Sequence, residues 1–289
     1  MNIPAHKDAQ ALLEWIEECG ISNMIWTTDL DHTVLDMQKD AANVTAAAGL
    51  EETFYHLDRL TNGRFFVITG REMDYVDRIF SKRPLKASTE YHNVMRWHED
   101  QAPQELRAQP HWALIDQKLA TIIQKYWPAD YEMRHKPFMR SIHYSHAPAL
   151  ADPHIKADVM YKLETILIEY ENSTGQELVN IDGGAVFDIA PKGSSKGPAM
   201  QDILDEIKRR HPQQKLYPIY FGDSPGDLDA VPVLKKAGGK FVSVGADPRV
   251  TSLADFQLEC TESARDIFTI ASQMPPTMRF NPPTPKGPV

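Results

Sequence analysis

The segment Trp26-Thr-Thr-Asp-Leu-Asp-His-Thr-Val34 sets two carboxylates, Asp29 and Asp31, with one residue between them and a hydroxyl, Thr33, two further on. It follows directly on the run Asn23-Met-Ile-Trp-Thr27. Residues alternating along an extended segment share a face, so all three groups are expected to emerge together from a strand end. Two like charges held that close repel unless a cation, hydrogen bonds or a shared proton compensates, which points to metal-assisted chemistry. The plain alternative is a surface turn whose aspartates cap backbone groups, and the rest of the chain decides between the two.

Three further groups fit the same chemistry. Thr69-Gly70-Arg71 closes the run Arg64-Phe-Phe-Val-Ile68, Lys196-Gly197 follows Ser195, and Gly222-Asp-Ser-Pro-Gly-Asp227 follows Leu216-Tyr-Pro-Ile-Tyr-Phe221. Transfer of a phosphoryl group to water can proceed through a carboxylate nucleophile that forms an aspartyl-phosphate, and Asp29 is the candidate. Asp31 would protonate the leaving oxygen and later deprotonate the attacking water. A nucleophile that approaches an anion needs positive charge beside it, so Mg2+ held by Asp29, Asp31 and Asp223 is expected, with Asp227 serving the metal or orienting Lys196. The Lys196 ammonium, the Thr69 hydroxyl and the Gly70 amide could then hold the phosphoryl oxygens. Taken singly, Thr69-Gly70 reads as an ordinary strand-to-helix turn and Lys196 as a solvated lysine that neighbouring Lys192 could be mistaken for. Their joint occurrence, in this order and at strand ends, carries the inference.

The elements that must position these groups are legible as an α/β pattern. Ala11, Leu12, Trp15, Ile16 and Cys19 fall at helical spacing before Gly20, and a second helix is expected over Ala46–Leu60. Buried strands are expected at 23–28, 64–68, 216–221 and 240–244. Strand, helix and strand in that order favour a parallel sheet with right-handed crossovers, and such sheets bind ligands beyond the carboxyl ends of their strands. Between the halves, roughly Asp100 to Ile189, the pattern changes to a hairpin over Tyr131–Tyr144, a helix over His154–Tyr170 and a second hairpin over Glu177–Ile189 turning at Gly183-Gly184. This reads as an inserted α+β cap at 101–189 over a Rossmann-like parallel-sheet core at 1–100 and 190–274, with a lid as its natural role. The tail 275–289, six of whose fifteen residues are proline, is too poor in apolar groups to pack much surface and is expected to be disordered or a loose strap.

At 289 residues the chain exceeds what one core usually serves. A net charge of −9 argues against a general nucleic-acid or membrane-surface binder. Cys19 and Cys260 are too few and too far apart for a disulfide framework and read as buried thiols. No apolar run approaches membrane-spanning length and the opening residues lack a signal-peptide pattern, so a cytoplasmic protein is expected.

The order Asp-x-Asp-x-Thr, strand-end Thr, Lys and Gly-Asp-x-x-x-Asp resembles the haloacid dehalogenase (HAD) superfamily of aspartate-nucleophile phosphatases, over both halves of the expected core. That resemblance implies Asp29 as nucleophile and metal ligand, and Asp31 as acid/base whose backbone carbonyl also touches magnesium. It implies Thr69 and Lys196 for phosphate and Asp223 and Asp227 for metal. The insertion between Thr69 and Lys196 is similar to the large α/β cap of trehalose-6-phosphate, sucrose-phosphate and mannosyl-phosphoglycerate phosphatases. Within it, His135-Lys-Pro-Phe-Met-Arg-Ser-Ile-His-Tyr144 and Phe187-Asp-Ile-Ala-Pro191 resemble the trehalose-6-phosphate phosphatase cap. Lys136 and His143 would then reach the substrate phosphate or sugar, Asp188 would accept from sugar hydroxyls, and Gly70 and Arg71 would line the same site, although Arg71 and Arg140 by default read as surface cations.

The chain departs from the trehalose pattern at Arg134, where that family has Glu, at Ser145, where it has Arg, at His32, where it has Gly, and at Ser224, where it has Asp. An arginine can only donate where a glutamate accepts. Arg134 would share a strand face with Lys136, so the pocket could favour a substrate with a second anionic group. Trehalose 6-phosphate is the expected phosphorylated sugar. The alternatives are sucrose phosphate or a glycosyl-phosphoglycerate, a phosphomutase that returns the phosphoryl group to an isomeric position, and a non-catalytic sugar-phosphate sensor.

Overall fold

The computed structural model describes residues 7–38, 41–182 and 186–276. Two sheets organise it. The larger has eight strands: β1 (Met24–Thr28), β2 (Phe65–Ile68), β3 (Ala87–Thr89), β4 (Val94–Arg96) and β5 (Gln104–Glu105), then β10 (Tyr217–Gly222), β11 (Lys240–Val244) and β12 (Phe256–Leu258). Its order is β12-β11-β10-β1-β2-β3-β4-β5. The six strands from β12 to β3 run parallel, and β4 and β5 add an antiparallel margin. The smaller sheet is antiparallel, order β6-β7-β9-β8, from β6 (Arg134–His135), β7 (Arg140–His143), β8 (Leu178–Asp182) and β9 (Val186–Pro191).

Every residue of β1 and β2 is buried, as expected of strands covered on both faces. Met24, Trp26, Phe65, Val67, Ile219 and Phe221 point to one side, toward α1 (Lys7–Cys19), α2 (Leu50–Leu60) and α9 (Thr261–Ser272). The alternate residues Ile25, Phe66, Ile68 and Tyr220 point to α6 (Lys196–Arg210) and α7 (Ala230–Lys236). Trp26 stacks on Phe221 at 5.3 Å between ring centroids, and the edge of Phe268 on α9 meets both. This apolar sandwich holds β1 and β10 in register, which pairs Thr28 with Phe221 and so fixes Asp29 beside Gly222.

The small sheet carries α4 (Ala113–Tyr126) and α5 (Pro153–Thr174) on one face, packed on Ile142, Leu178, Phe187 and Ile189. Its other face turns to the large sheet. The hairpin tip between β6 and β7 enters the larger core, where Phe138 and Met139 are fully buried. The cap is therefore anchored by an apolar plug as well as by the two chain crossings.

The expected elements stand, with shifts. The helix expected from Ala46 begins at Leu50, because Gly49 takes a left-handed φ of 82° at its N-terminus. The helix over His154–Tyr170 extends to Pro153–Thr174, stopped by left-handed Gly175. Helices α4, α6, α7 and α9 and the strands β3, β4, β5 and β12 are among the additions. Gln104–Glu105, inside the expected insertion, pair with the large sheet. The Gly183-Gly184 turn and residues 277–289 of the tail lie outside the described residues. Cys19 is buried as expected, but Cys260 is exposed, since it stands at the start of α9 where the chain leaves β12. No helix among the described residues is long and apolar enough to cross a membrane.

Candidate active site

The C-terminal ends of β1, β2 and β10 lie side by side, and the loops leaving them bring most of the expected residues together. The Asp29 amide donates to the Phe221 carbonyl at 2.9 Å, which ties the end of β1 to β10. Asp29, Asp223 and Asp227 each offer a carboxylate oxygen within 4.8 Å of the others. Lys196, at the first turn of α6 and only 3 % exposed, sets its Nζ 3.0 Å from Asp29 Oδ1 and 2.6 Å from Asp227 Oδ1. The Thr33 hydroxyl donates to Asp223 Oδ1 at 3.1 Å, so this hydroxyl of the first motif does reach the centre.

Asp227 is the structural keystone of the group. Its Oδ2 accepts from the Asp223 amide at 3.0 Å, the Ser224 amide at 2.9 Å and the Ser224 hydroxyl at 3.1 Å. Its Oδ1 accepts from Lys196 and from the Tyr220 hydroxyl. Burial alone would raise its pKa, but Lys196 and these donors outweigh it and hold the carboxyl below its ordinary range. The ammonium is fully buried, yet Asp227 and then Asp29 keep it charged, with its pKa well above the usual value. Asp29 and Asp223 move the other way: burial raises both, and the like charge of Asp227 raises them further, with Lys196 opposing. Three crowded carboxylates against one ammonium leave negative charge uncompensated. A hard divalent cation with oxygen ligands supplies what is missing, so the donor set fits magnesium.

Gly222 is required by this packing. A Cβ there would lie 2.5 Å from Asp227 Cγ and 2.8 Å from its Cβ. Since five donors hold Asp227, Gly222→Ala is expected to destabilise the fold by about 1–3 kcal/mol through overpacking. Urea unfolding measures it, and a loss below about 0.5 kcal/mol would mean that Asp227 can move aside.

The two carboxylates of the first motif part rather than emerging together. The extended conformation ends at Thr28; the amides of Thr33, Val34 and Leu35 all turn back to the Leu30 carbonyl, and Asp31 forms a lone bridge with Leu35. Asp31 consequently leaves the carboxylate group: Arg71 Nε donates to its Oδ2 and the Tyr75 hydroxyl to its Oδ1 at 2.8 Å. His32 takes a left-handed φ of 57° in this turn, a conformation glycine adopts freely.

Beyond β2, Thr69 is buried and its hydroxyl accepts from the Arg71 amide at 3.2 Å. Arg71 is not a surface cation, because the Asp31 pair and the Tyr75 ring, 4.7 Å from its guanidinium, hold it at the rim of the site. Arg140 is not at the surface either. It is 6 % exposed, paired to Asp116 through Nε and Nη2 and set over the Trp112 ring, which makes it a cap-bracing residue.

The cap contributes from above. Lys136 is buried and its Nζ donates to the Gly70 carbonyl at 2.9 Å, directly bridging cap and core. Strand register puts Arg134, Ser141 and Asp188 in one row across β6, β7 and β9 on the core-facing side. Ser141 Oγ and Asp188 Oδ1 are buried in that row with no hydrogen-bond partner among the described residues. Arg134, exposed, and His143 line a cap–core cavity of about 670 Å3 together with Arg71, Tyr131 and His146. Burial pushes the His143 pKa down to about 4, so the imidazole is neutral at pH 7.

Three residues in this arrangement were not anticipated: Tyr75, Tyr220 and Tyr91, whose hydroxyl lies 3.3 Å from Asp188 Oδ2. Tyr75 stands four residues after Arg71 and Tyr220 shares a strand face with Gly222, both visible as spacings. Tyr91 has no such signal.

No family model and no curated protein matches the chain in sequence. Solved structures do match. The C-terminal domain of C. albicans trehalose-6-phosphate phosphatase superposes with a TM-score of 0.73 at 17 % identity, covering 94 % of this chain and 99 % of that one. Aspergillus fumigatus trehalose-6-phosphate phosphatase gives 0.63 at 19 % identity, covering 94 % and 99 %. A haloacid dehalogenase-like hydrolase from Bacteroides thetaiotaomicron gives 0.52 at 14 % identity over 86 % and 99 %. The chain shares the fold of these solved structures.

Proposed function

We propose that the chain is a magnesium-dependent phosphatase that hydrolyses a sugar phosphate through an aspartyl-phosphate on Asp29, with trehalose 6-phosphate as its expected substrate. The observation that carries this reading is the close set of Asp29, Asp223 and Asp227 at adjacent strand ends, with the buried Lys196 bonded to Asp29 and Asp227. A binding protein would have little use for a carboxylate whose like-charged neighbours it must compensate, whereas a nucleophile attacking phosphorus needs that carboxylate.

In the proposed reaction an Asp29 carboxylate oxygen forms the bond to phosphorus as the bond to the sugar oxygen breaks. Asp31 gives the sugar oxygen its proton, then takes one from the water that attacks the aspartyl-phosphate and regenerates Asp29. Arg71 and Tyr75 orient Asp31 for both transfers. Lys196, the Thr69 hydroxyl and the Gly70 amide hold phosphoryl oxygens, and Lys136 adds positive charge from the cap side. Asp29 and Asp223, with the Asp31 carbonyl and Asp227 in support, would hold magnesium, which would neutralise charge on the phosphoryl group. The free acceptors of Asp188 and Ser141 suit sugar hydroxyls, since a buried acceptor without a partner is costly until a donor arrives.

Arg134 favours a second reading of the substrate. It lines the cap–core cavity with Arg71, pairs with no carboxylate among the described residues, and would suit a glycoside whose far end carries another anionic group. A phosphate-release screen over trehalose 6-phosphate, sucrose 6-phosphate and glycosyl-phosphoglycerates separates the two. Trehalose 6-phosphate is expected to lead, with release abolished by chelation and restored by magnesium. A clear preference for the doubly anionic compounds would move the assignment to them, and conversion to an isomeric phosphate without free phosphate would make the enzyme a mutase.

A further inference from the structure

The turn from β3 to β4 holds three consecutive non-glycine residues in the left-handed region, Glu90 at φ 49°, Tyr91 at 52° and His92 at 69°. Such residues each cost about 1 kcal/mol or more and persist only where the surroundings over-determine them, most often at functional sites. Here the bracing comes from three directions. Glu90 Oε2 accepts from the Phe138 amide at the tip of the cap hairpin, 3.0 Å away. His92 is held between Ser88 Oγ at 2.9 Å and Asp202 Oδ2 on α6 at 3.0 Å. The Asn93 side chain donates to the Glu90 carbonyl and bonds Ser194 Oγ at 2.9 Å.

All of this aims one side chain, Tyr91, into the junction of cap and core. Its ring is packed so tightly on Gly70 that a Cβ there would lie 3.0 Å from two ring carbons and 3.2 Å from the hydroxyl oxygen. A Cβ on Gly226 would lie 3.7 Å from the same oxygen. Gly70 follows β2 and Gly226 follows β10, and these strands flank β1. A hydroxyl within reach of both loops therefore stands over the end of β1, above Asp29. Its present bond to Asp188 Oδ2, 3.3 Å, is longer than a good O–H···O bond, and Asp188 Oδ1 beside it has no hydrogen-bond partner among the described residues.

We propose that Tyr91 is a substrate-contacting residue: its O–H turns from Asp188 to a non-bridging oxygen of the phosphoryl group held over Asp29, and leaves Asp188 to a hydroxyl of the substrate. The role rests on the phosphatase reading. A neutral phenol suits it, because it donates to an anionic oxygen without adding a charge that would compete with Lys196 for the carboxylates. It also links the two halves of recognition, since one hydroxyl exchanges its cap partner, Asp188, for the phosphoryl group over the core when substrate fills the junction.

Tyr91→Phe tests this, because the ring that packs on Gly70 is retained. Turnover of p-nitrophenyl phosphate and of the preferred sugar phosphate is expected to fall alike, by about 10- to 100-fold in kcat/KM, as for loss of a hydrogen bond to a charged group. Inhibition by inorganic vanadate is expected to weaken by a similar factor, with the thermal midpoint unchanged. Loss on the sugar phosphate alone would show that the hydroxyl serves Asp188 only and would overturn the proposal. Unchanged kinetics would overturn it too, as would a loss matched by the fraction unfolded with vanadate affinity intact. A wild-type protein that releases phosphate from no phosphomonoester would instead overturn the phosphatase reading itself, and this role with it.

Discussion

Asp29→Asn is expected to lower phosphate release by about a thousandfold or more while the protein stays folded. The carboxylate is 6 % exposed, with Lys196 Nζ at 3.0 Å, and an amide of the same shape keeps the packing but cannot attack phosphorus. Its removal also relieves a crowded set of negative charges, so stability should not suffer. The thermal midpoint is expected to move by no more than about 4 °C, the equivalent of roughly 1 kcal/mol in a chain of this size. Activity at the wild-type level would remove Asp29 from the chemistry. Lost activity together with lost folding would leave a structural role as the better account.

Lys196→Met is expected to damage stability and turnover together. The ammonium lies 2.6 Å from Asp227 and 3.0 Å from Asp29, all three groups being buried. Deleting one partner of such an arrangement strands the opposite charges and costs about 3–5 kcal/mol. Asp227→Asn in the same chain should recover part of that loss, because the carboxylate most tightly bonded to the lysine is then neutral. Urea unfolding of the two single variants and the double reads this coupling directly. A Lys196→Met loss below about 1 kcal/mol would show that solvent or protonation compensates the carboxylates without the lysine. In kinetics, removal of the phosphoryl-facing cation is expected to lower kcat/KM by about 100-fold or more.

Much of this architecture could be read from the chain because its signals are local. The apolar runs of β1, β2, β10 and β11 are buried on both faces, and the first three end in polar residues that a parallel sheet places at one edge. Lys196 is singled out by its order relative to Thr69 and Asp223, and the structure sets it at the first turn of α6, beside Asp29 and Asp227. What stayed hidden depends on long-range packing. Nothing around Phe138 and Met139 marks them as a plug in the other core, since a hydrophobic pair at a hairpin tip has the same composition wherever it inserts. Arg140 could not be told from a surface arginine without Asp116, a residue twenty-four positions away, folding over it. Tyr91 was least accessible of all: its left-handed turn contains no glycine, so the residues that signal such backbone were absent.

The parting of Asp29 and Asp31 has a similar cause. Strand alternation applies only as long as the strand does, and β1 stops at Thr28. The turn closed on the Leu30 carbonyl redirects Asp31 to Arg71 and Tyr75, which gives the two carboxylates different partners, in keeping with the different tasks proposed for them. Asp29 is buried in a group of carboxylates that shares the one ammonium of Lys196. Asp31 lies at the rim, where a leaving sugar oxygen or an entering water could reach it.

That division of labour is open to one direct measurement. In Asp31→Asn, p-nitrophenyl phosphate still offers a leaving group that needs no protonation, so Asp29 can be phosphorylated while hydrolysis of the aspartyl-phosphate, deprived of its base, stalls. Mixing this variant with p-nitrophenyl phosphate and magnesium should release one equivalent of p-nitrophenol per site in a burst. Acid quenching should then recover protein heavier by one phosphoryl group, located by fragmentation on Asp29. A burst without that adduct, or an adduct on another residue, would contradict the assignment of Asp29 as the nucleophile.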